Sequence, residues 1–290
     1  MIDTPVRKDI YAELPPAVRK ELTRLVAQDT LAQVNALKQG VQPPQTFYTR
    51  YGKRMIDIVV SLLALIVTLP INLIIGLITF FDVGRPLLFA QKRMGRGETP
   101  FHLYKFRNMT NATNEQGFLL PANERVTRWG KFVRKTSLDE LLNFWSIFKG
   151  DMSLIGPRPL PLSYRGRFSD YHNSRHTVRP GLDCPLHDPG MGYMTWENRL
   201  ENDVWYVQHV SFKTDVQLVM LLVRETLGGK EKNARAVGGS EGSFIGYDAD
   251  GRVMDSYHIP QHYLDLALSL AEEANEPGTI VEQTGSYLTQ

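Results

Sequence analysis

Residues 58–81 read IVVSLLALIVTLPINLIIGLITFF, 24 consecutive uncharged side chains dense in Leu, Ile and Val. The run exceeds the roughly 18 apolar residues that mark a membrane helix. A single-pass anchor is the simplest reading. Against it stands Pro70 in the middle, with Asn72 close by, because a proline removes a backbone hydrogen bond and kinks or breaks a helix. The halves, 58–69 and 71–81, reach about 18 and 17 Å, and neither alone crosses a hydrocarbon core of about 30 Å. A helix bent at Pro70 enters one leaflet and returns. Arg50, Lys53 and Arg54 precede the segment, and Arg85, Lys92, Arg93 and Arg96 follow it, so flanking charge gives no orientation. Both ends read as cytoplasmic, yet proline is tolerated in genuine spans, and composition leaves both topologies open.

The rest of the 290-residue chain has the make-up of a folded protein, with 42% hydrophobic and 22% charged residues and a net charge of +2. Disordered, collagen-like and disulfide-scaffold classes are excluded. Cys184 alone permits no intrachain disulfide and no Cys-based zinc site, which favours a reducing compartment. Asp3, Arg7, Lys8 and Asp9 fall where a signal peptide would need an apolar core, so none is expected.

Working outward, residues 1–46 hold an amphipathic helix and a linker: Val18, Leu22, Leu25, Val26, Leu31, Val34 and Leu37 recur near helical period over 15–39. Such a helix either docks on a membrane surface or packs on the main domain. Residues 47–83 are the membrane helix, and 84–229 hold most of the unusual residues and read as the working domain. Residues 230–290 begin in a linker (GKEKN, 229–233), then carry a hairpin turn signal at Asp250-Gly251 and a short helix over 260–274. The fold class expected is α+β, mostly helical, with interfacial amphipathic helices beside the membrane segment.

Residues 85–135 hold eleven basic side chains against three acidic ones, a net of +8 next to a bilayer segment. Anionic headgroups account for much of such a patch. No nucleic-acid motif accompanies it, so nucleic acid is not the expected partner, and a phosphate-bearing substrate gathered at the membrane is a third reading. Arg134-Lys135-Thr136-Ser137-Leu138-Asp139-Glu140 then runs into Leu141, Leu142, Phe144, Trp145, Ile147 and Phe148. Ser137 with Glu140 forms a capping box in the ordinary reading, and acids in a first turn complement the helix dipole. The apolar run that follows, and the cations before the acids, suit instead an interfacial helix holding Asp139 and Glu140 at headgroup depth. Adjacent helical residues point about 100° apart, so the two acids take different roles. Further on, Pro157-Arg158-Pro159 sets an arginine in a turn stiffened on both sides, suited to a planar grip on phosphate.

These blocks resemble the bacterial sugar transferase family, the monotopic phosphoglycosyl transferases, in the short form that starts glycan assembly on a polyprenol phosphate. The resemblance runs from Lys53 to about Gly229. It is carried by KRMID (53–57), PLLFAQKRMG (86–95), FHLYKFRNM (101–109), TRWG (127–130), the acid motif of 135–140, KGDMSLIGPRP (149–159), VRPG (178–181) and DVWYV (203–207). It implies a proline-broken re-entrant helix at Pro70 in the bacterial inner membrane, with the catalytic domain facing the cytoplasm. It also implies transfer of a phospho-sugar from a UDP-sugar to undecaprenyl phosphate, releasing UMP. Asp139 would be the nucleophile of a covalent intermediate with Mg²⁺ beside it, and Glu140 its acid/base or positioning partner. Arg134 and Arg158 match family positions for holding phosphate, with Lys105, Arg107 and Arg179 as further candidates.

The chain departs from the family in three places. Leu142-Asn143 replaces Pro-Gln after the acids, and the kink reads Leu69-Pro70 rather than Ser-Pro. Pro180-Gly181-Leu182-Asp183-Cys184 and Pro189-Gly190-Met191 replace Pro-Gly-Ile-Thr-Gly and Asn-Gly-Arg, which removes a cation and adds Asp183 where the nucleotide-sugar would lie. Cys184, with nothing nearby to activate it, reads as a small packed residue. Two other functions compete: an inactive membrane scaffold derived from the family, and a glycosyltransferase that moves only the sugar and releases UDP. The sugar, the pathway and the oligomeric state are not written in the sequence.

Overall fold

The structure, a computed structural model, describes residues 9–115, 117, 119–191, 195–228 and 242–275. They fall into two compact units. The larger comprises Lys38–Arg165 and Asp170–Gly238, and the smaller is drawn from Met1–Leu37, Gly166–Ser169 and Gly239–Gln290.

The smaller unit brings described segments from the N-terminal and C-terminal parts of the chain together. Helix α1 (Ile10–Glu13) leads into α2 (Pro16–Leu37), which packs on an antiparallel hairpin, β5 (Phe244–Tyr247) and β6 (Val253–Asp255), and on the final helix α10 (Gln261–Asn275). Leu22, Val26, Ile245 and Ala267 are fully buried at its centre. The apolar stripe of α2 therefore faces a hairpin and a helix from the other end of the chain. The turn expected at Asp250-Gly251 is present, with Gly251 at φ +83° and Gly251 N donating to Asp248 O at 3.1 Å. The linker expected at Gly229–Asn233 lies outside the described residues.

The larger unit begins in a π turn (Tyr48–Gly52) that runs straight into α3 (Lys53–Val83). The break expected at Pro70 does not interrupt the helix: α3 is continuous with Pro70 inside it. One proline costs one backbone bond, and side chains knit the turns around it, Thr68 Oγ1 donating to Ala64 O at 2.7 Å and Asn72 Nδ2 to Thr68 Oγ1 at 3.3 Å. The buried positions of α3 lie at its two ends, Asp57 and Ser61, then Ile75 and Thr79. Between them Leu63, Ile66, Val67, Leu69 and Leu73 are exposed.

After α3, β1 (Leu88–Met94) and β2 (Pro100–Phe106) form an antiparallel hairpin in which Phe89 faces Lys105 and Arg93 faces Phe101. Helices α4 (Ala122–Arg125), α5 (Arg128–Lys135) and α6 (Asn143–Lys149) follow. A two-stranded parallel pair, β3 (Ser153–Ile155) with β4 (Gly181–Asp183), lies beyond them, and α7 (Asp170–Asn173) is inserted between its strands. A Cβ at Gly181 would come within 2.2 Å of Gly156 N, so this crossing requires glycine. Helices α8 (Trp196–His209) and α9 (Phe212–Gly228) close the unit. Its contents are mostly helix with small sheets, in keeping with the expected class.

The two ends of α3 are fastened to this unit by separate polar contacts. Arg54 donates to Ile147 O and Phe148 O, both at 2.6 Å, at the carbonyl end of α6. Asp57 Oδ1 accepts Ser153 Oγ and Leu154 N, both at 3.0 Å. At the far end Trp129 Nε1 donates to Thr79 Oγ1 at 3.3 Å and Thr127 Oγ1 to Asp82 Oδ2 at 2.6 Å.

Candidate functional site

Alternation along β2 puts Phe101, Leu103 and Lys105 on one face. Phe101 and Leu103 pack with Ile147 of α6 and Met152, and Lys105 ends that row where apolar packing gives way to the acids. Lys105 Nζ lies 3.0 Å from Glu140 Oε1 and 3.7 Å from Asp139 Oδ2. Arg158 Nη2 donates to the same Glu140 Oε1 at 2.9 Å. Four of the expected residues, Lys105, Asp139, Glu140 and Arg158, thus form one cluster.

The acids do not open a long helix. They sit on a single 3-10 turn, Leu138–Glu140, between α5 and α6, and Ser137 before it is left-handed at φ +56°, ψ +22°. The capping box expected between Ser137 and Glu140 is absent: Ser137 makes no side-chain cap, and Glu140 turns instead to Lys105 and Arg158. The S-x-x-E spacing is present, but a Ser in the left-handed region reverses the chain rather than starting a helix. α6 follows with Ser146 and Ile147 buried and Trp145 half exposed, stacked on Phe148 with ring centroids 6.0 Å apart.

Asp139 is only 6% exposed, and burial pushes its carboxyl above the ordinary carboxylate range. Lys105 opposes that shift and the charge of Glu140 adds to it. Burial disfavours the charged carboxylate and the neighbouring Lys105 cation partly restores it. Among the described residues no group of three His, Cys, Asp or Glu side chains could hold a metal ion.

The other three cations are placed differently. Arg134 is exposed on α5, with Nη2 donating to Asn108 Oδ1 at 2.8 Å and lying 3.0 Å from Met109 Sδ. Gly130 lets the Asn108 backbone lie against α5, since a Cβ there would come within 2.2 Å of Asn108 O. Arg107 is spent on carbonyls: Val83 O at 2.6 Å, Arg85 O at 2.9 Å, and Pro86 O and Met109 O at 3.2 Å each. Arg179 donates through Nε to Gly150 O at 2.9 Å, and burial, then Arg54 and Arg96, pulls its basicity down. Neither Arg107 nor Arg179 is brought to the acids by the contacts it makes.

Sequence reasoning passed over a partly buried ion pair at the root of α3. Lys53 Nζ and Tyr48 Oη each lie 2.5 Å from Asp215 Oδ2 on α9, and Tyr206 Oη of α8 donates to Asp215 Oδ1 at 2.7 Å. Tyr48 and Lys53 lie more than 150 residues from Asp215 in the chain, beyond any periodicity, so only folding brings them together. In the departing segment, His187 stacks on Trp205 at 3.8 Å with planes 4° apart and its Nδ1 lies 2.8 Å from Asn202 Oδ1. Cys184 is buried with its thiol pushed well up by burial, which agrees with a packed role.

An acid pair on a strained turn carries two cations, in a unit that also holds a helix long and apolar enough to cross a membrane, as in a membrane-associated protein. The sequence profile described as bacterial sugar transferase matches residues 48–229, and the chain belongs to that family. It is 38% identical over 175 residues to the uncharacterized sugar transferase EpsL of Bacillus subtilis, covering 60% of this chain and 87% of that one. It is 34% identical over 194 residues to the UDP-N-acetylgalactosamine-undecaprenyl-phosphate N-acetylgalactosaminephosphotransferase of Aeromonas hydrophila, covering 64% of this chain and 46% of the relative. With the UDP-glucose:undecaprenyl-phosphate glucose-1-phosphate transferase of Klebsiella pneumoniae it shares 35% over 181 residues, covering 59% and 39%. The chain therefore spans most of EpsL and less than half of the other two. All three alignments are shorter than 200 residues, and the smaller unit contains most of the chain beyond the family match.

Proposed function

We propose that the protein transfers a phospho-sugar from a UDP-sugar to undecaprenyl phosphate in two steps, as the first membrane step of a glycan. The observation that carries this reading is the buried Asp139 carboxylate beside Glu140, with Lys105 and Arg158 upon the pair. In the first step an Asp139 oxygen attacks the sugar-bearing phosphorus, a P–O bond to UMP breaks, and UMP leaves. In the second an oxygen of undecaprenyl phosphate attacks the same phosphorus and frees the carboxylate. One shallow site can then serve a soluble donor and a lipid acceptor in turn.

A carboxylate approaching a diphosphate meets like-charge repulsion, and Lys105 and Arg158 are placed to relieve it. Glu140, which accepts from both cations through one oxygen, acts as their positioning partner. Mg²⁺ fits this donor set, because it is commonly held by one or two carboxylates with phosphate oxygens and water completing its shell. Asp139 would hold it, and when bound it supplies further neutralisation of phosphate charge. Arg134, exposed on α5 just before the acid turn in sequence, is the remaining candidate for a substrate phosphate.

The membrane reading is a re-entrant α3 at the cytoplasmic face of the inner membrane. Its support is that Asp57 and Thr79, near opposite ends of α3, are fastened to one compact unit while the middle is exposed and apolar. α9 extends the apolar surface from the root of α3: Phe212 meets the Tyr48 ring at 5.9 Å, and Val216, Val219, Met220 and Val223 are exposed along it.

The test is nucleotide release from purified protein with undecaprenyl phosphate, Mg²⁺ and a panel of UDP-sugars, beside Asp139→Asn. UMP release that requires Asp139 is expected; UDP release would mean that only the sugar moves. Turnover retained in Asp139→Asn would remove Asp139 from its role, and folded protein inert with every donor would favour the scaffold.

A further inference from the structure

Pro157 and Pro159 flank Arg158 and have no N–H, so the turn that presents Arg158 to Glu140 is anchored chiefly through its carbonyls. All four successive carbonyls are taken. Pro157 O accepts Gly181 N at 3.0 Å, and Leu160 O accepts Met94 N at 2.9 Å. The two between them are held by guanidinium groups from distant parts of the chain: Arg175 Nη2 donates to Arg158 O at 2.8 Å, and Arg93 Nη1 donates to Pro159 O at 3.1 Å. Arg93 is itself steered by Gln91, whose Oε1 accepts its Nη2 at 2.6 Å. Arg175 is steered by Asp203 of α8, with Nη2 2.9 Å from Oδ2.

We propose that Arg93 and Arg175 are positioning residues for the transfer reaction, holding the carbonyls of Pro159 and Arg158 so that the Arg158 guanidinium is aimed at Glu140 and the substrate phosphate. This rests on the reaction proposed above and deepens it. Two features separate this arrangement from ordinary packing. The Arg175 and Asp203 side chains are 1% and 3% exposed, and a buried pair of this kind adds little stability over an apolar pair of the same volume, so its worth lies in fixed geometry. Arg93 is turned toward a carbonyl where burial first, and the neighbouring Arg158 cation second, disfavour its charge. A neutral side chain would suffice for a merely structural strand. Two guanidinium groups behind Arg158 hold the backbone that carries its fork, Arg175 with its charge matched by Asp203.

The experiment is a double-mutant cycle on the full-length protein in lipid, reading UMP release, with kcat and KM for the UDP-sugar resolved. Arg93→Met leaves no carboxylate orphaned, and the paired change Arg175→Met with Asp203→Leu replaces the buried ion pair by apolar volume. Each is made in the wild-type and Arg158→Lys backgrounds, with a thermal melt to establish folding. In the wild-type background kcat is expected to fall about ten- to hundredfold, the scale of a small misplacement of a catalytic group. In the Arg158→Lys background the same changes are expected to cost less than about twofold, because the group they aim has already been altered. Equal fold-losses in both backgrounds would overturn the proposal, as would unchanged kcat in folded Arg93→Met. Arg93→Lys, which keeps a donor and a charge, is the milder variant and is expected to recover most of the rate; no recovery from folded Arg93→Lys would also count against it. Wild-type protein that releases no UMP would sink the proposed reaction instead, so the two failures are distinguishable.

Discussion

Lys105 Nζ lies 3.7 Å from Asp139 Oδ2 at the edge of the core, where the buried face of β2 ends. The side chain is about a quarter exposed and takes no part in the apolar cluster formed by Phe101, Leu103, Ile147 and Met152. Removing its charge should therefore leave the fold intact while leaving two neighbouring carboxylates less compensated. Lys105→Met is expected to lower kcat for UMP release by about 10²- to 10³-fold, the range seen when one charge-stabilising group is deleted. The thermal midpoint should move little. A rate within about threefold of wild type would show that Lys105 does not serve the reaction.

Ser137 holds a left-handed conformation at φ +56° immediately before the acid turn. For a non-glycine residue this costs on the order of 1 kcal/mol, and a β-branched side chain tolerates it worse. Ser137→Gly is expected to keep the turn and match or slightly exceed wild-type stability, the relief of strain being offset by the freer unfolded chain. Ser137→Val is expected to lose about 1 to 2 kcal/mol in urea unfolding and to lower kcat, because Asp139 rides on the same turn. Equal behaviour of the two variants would mean that this backbone conformation does not matter.

Much of this architecture can be read from local pattern. The stripe of Val18, Leu22 and Val26, the Asp250-Gly251 turn and the final helix each follow from period or turn chemistry and appear where expected. Their assembly into one unit is a different matter: Asp29 Oδ2 accepts Tyr263 Oη at 3.1 Å across more than 230 residues, and no local signal announces that pairing. The site divides the same way. Asp139, Glu140, Lys105 and Arg158 were legible through their motifs, but Arg107 and Arg179 were indistinguishable from them by residue type. An arginine that serves carbonyls and one that bonds a carboxylate are the same letter in the sequence and differ only in surroundings. The S-x-x-E spacing at Ser137 leaves a capping box open as the ordinary reading, and the structure excludes it because that spacing starts a helix only when the first residue is extended, and here it is left-handed.

His176 supplies a test in acid. It is 8% exposed, its Nδ1 lies 2.8 Å from Asn173 Oδ1, and burial, reinforced by the Arg175 cation, pushes its pKa from 6.5 down to about 3. Between those values the unfolded chain takes up a proton that the folded chain refuses. The contribution is fully present above pH 6.5 and is lost as pH falls toward about 3. For one group the slope is up to about 1.4 kcal/mol per pH unit. His176→Gln should therefore flatten the decline in urea-unfolding stability between pH 6.5 and about 4 relative to wild type. Parallel curves for the two proteins would show that His176 is not the group responsible.

The proposed topology of α3 can be tested against a length argument. Asp57 and Thr79 would lie about 33 Å apart on a straight helix, more than the roughly 30 Å hydrocarbon core. A helix that spanned would carry the partners of Asp57, Ser153 and Leu154, and the partner of Thr79, Trp129, to opposite sides of the bilayer. All of them belong to one compact unit that is not itself a bundle of spans: among the described residues, one helix, Tyr48–Val83, is long and apolar enough to cross. The re-entrant topology proposed above would keep all of these partners on one side, and it requires α3, continuous through Pro70, to bend or lie within one leaflet. Gln45→Cys and Arg85→Cys, each exposed and placed in a Cys184→Ala background, can be probed in intact bacterial cells with a membrane-impermeant maleimide. Both are expected to stay unlabelled until the inner membrane is opened, and then to react alike. Labelling of one position from outside and the other only from inside would establish a span, and the fastening of both ends of α3 to one unit would then need another explanation.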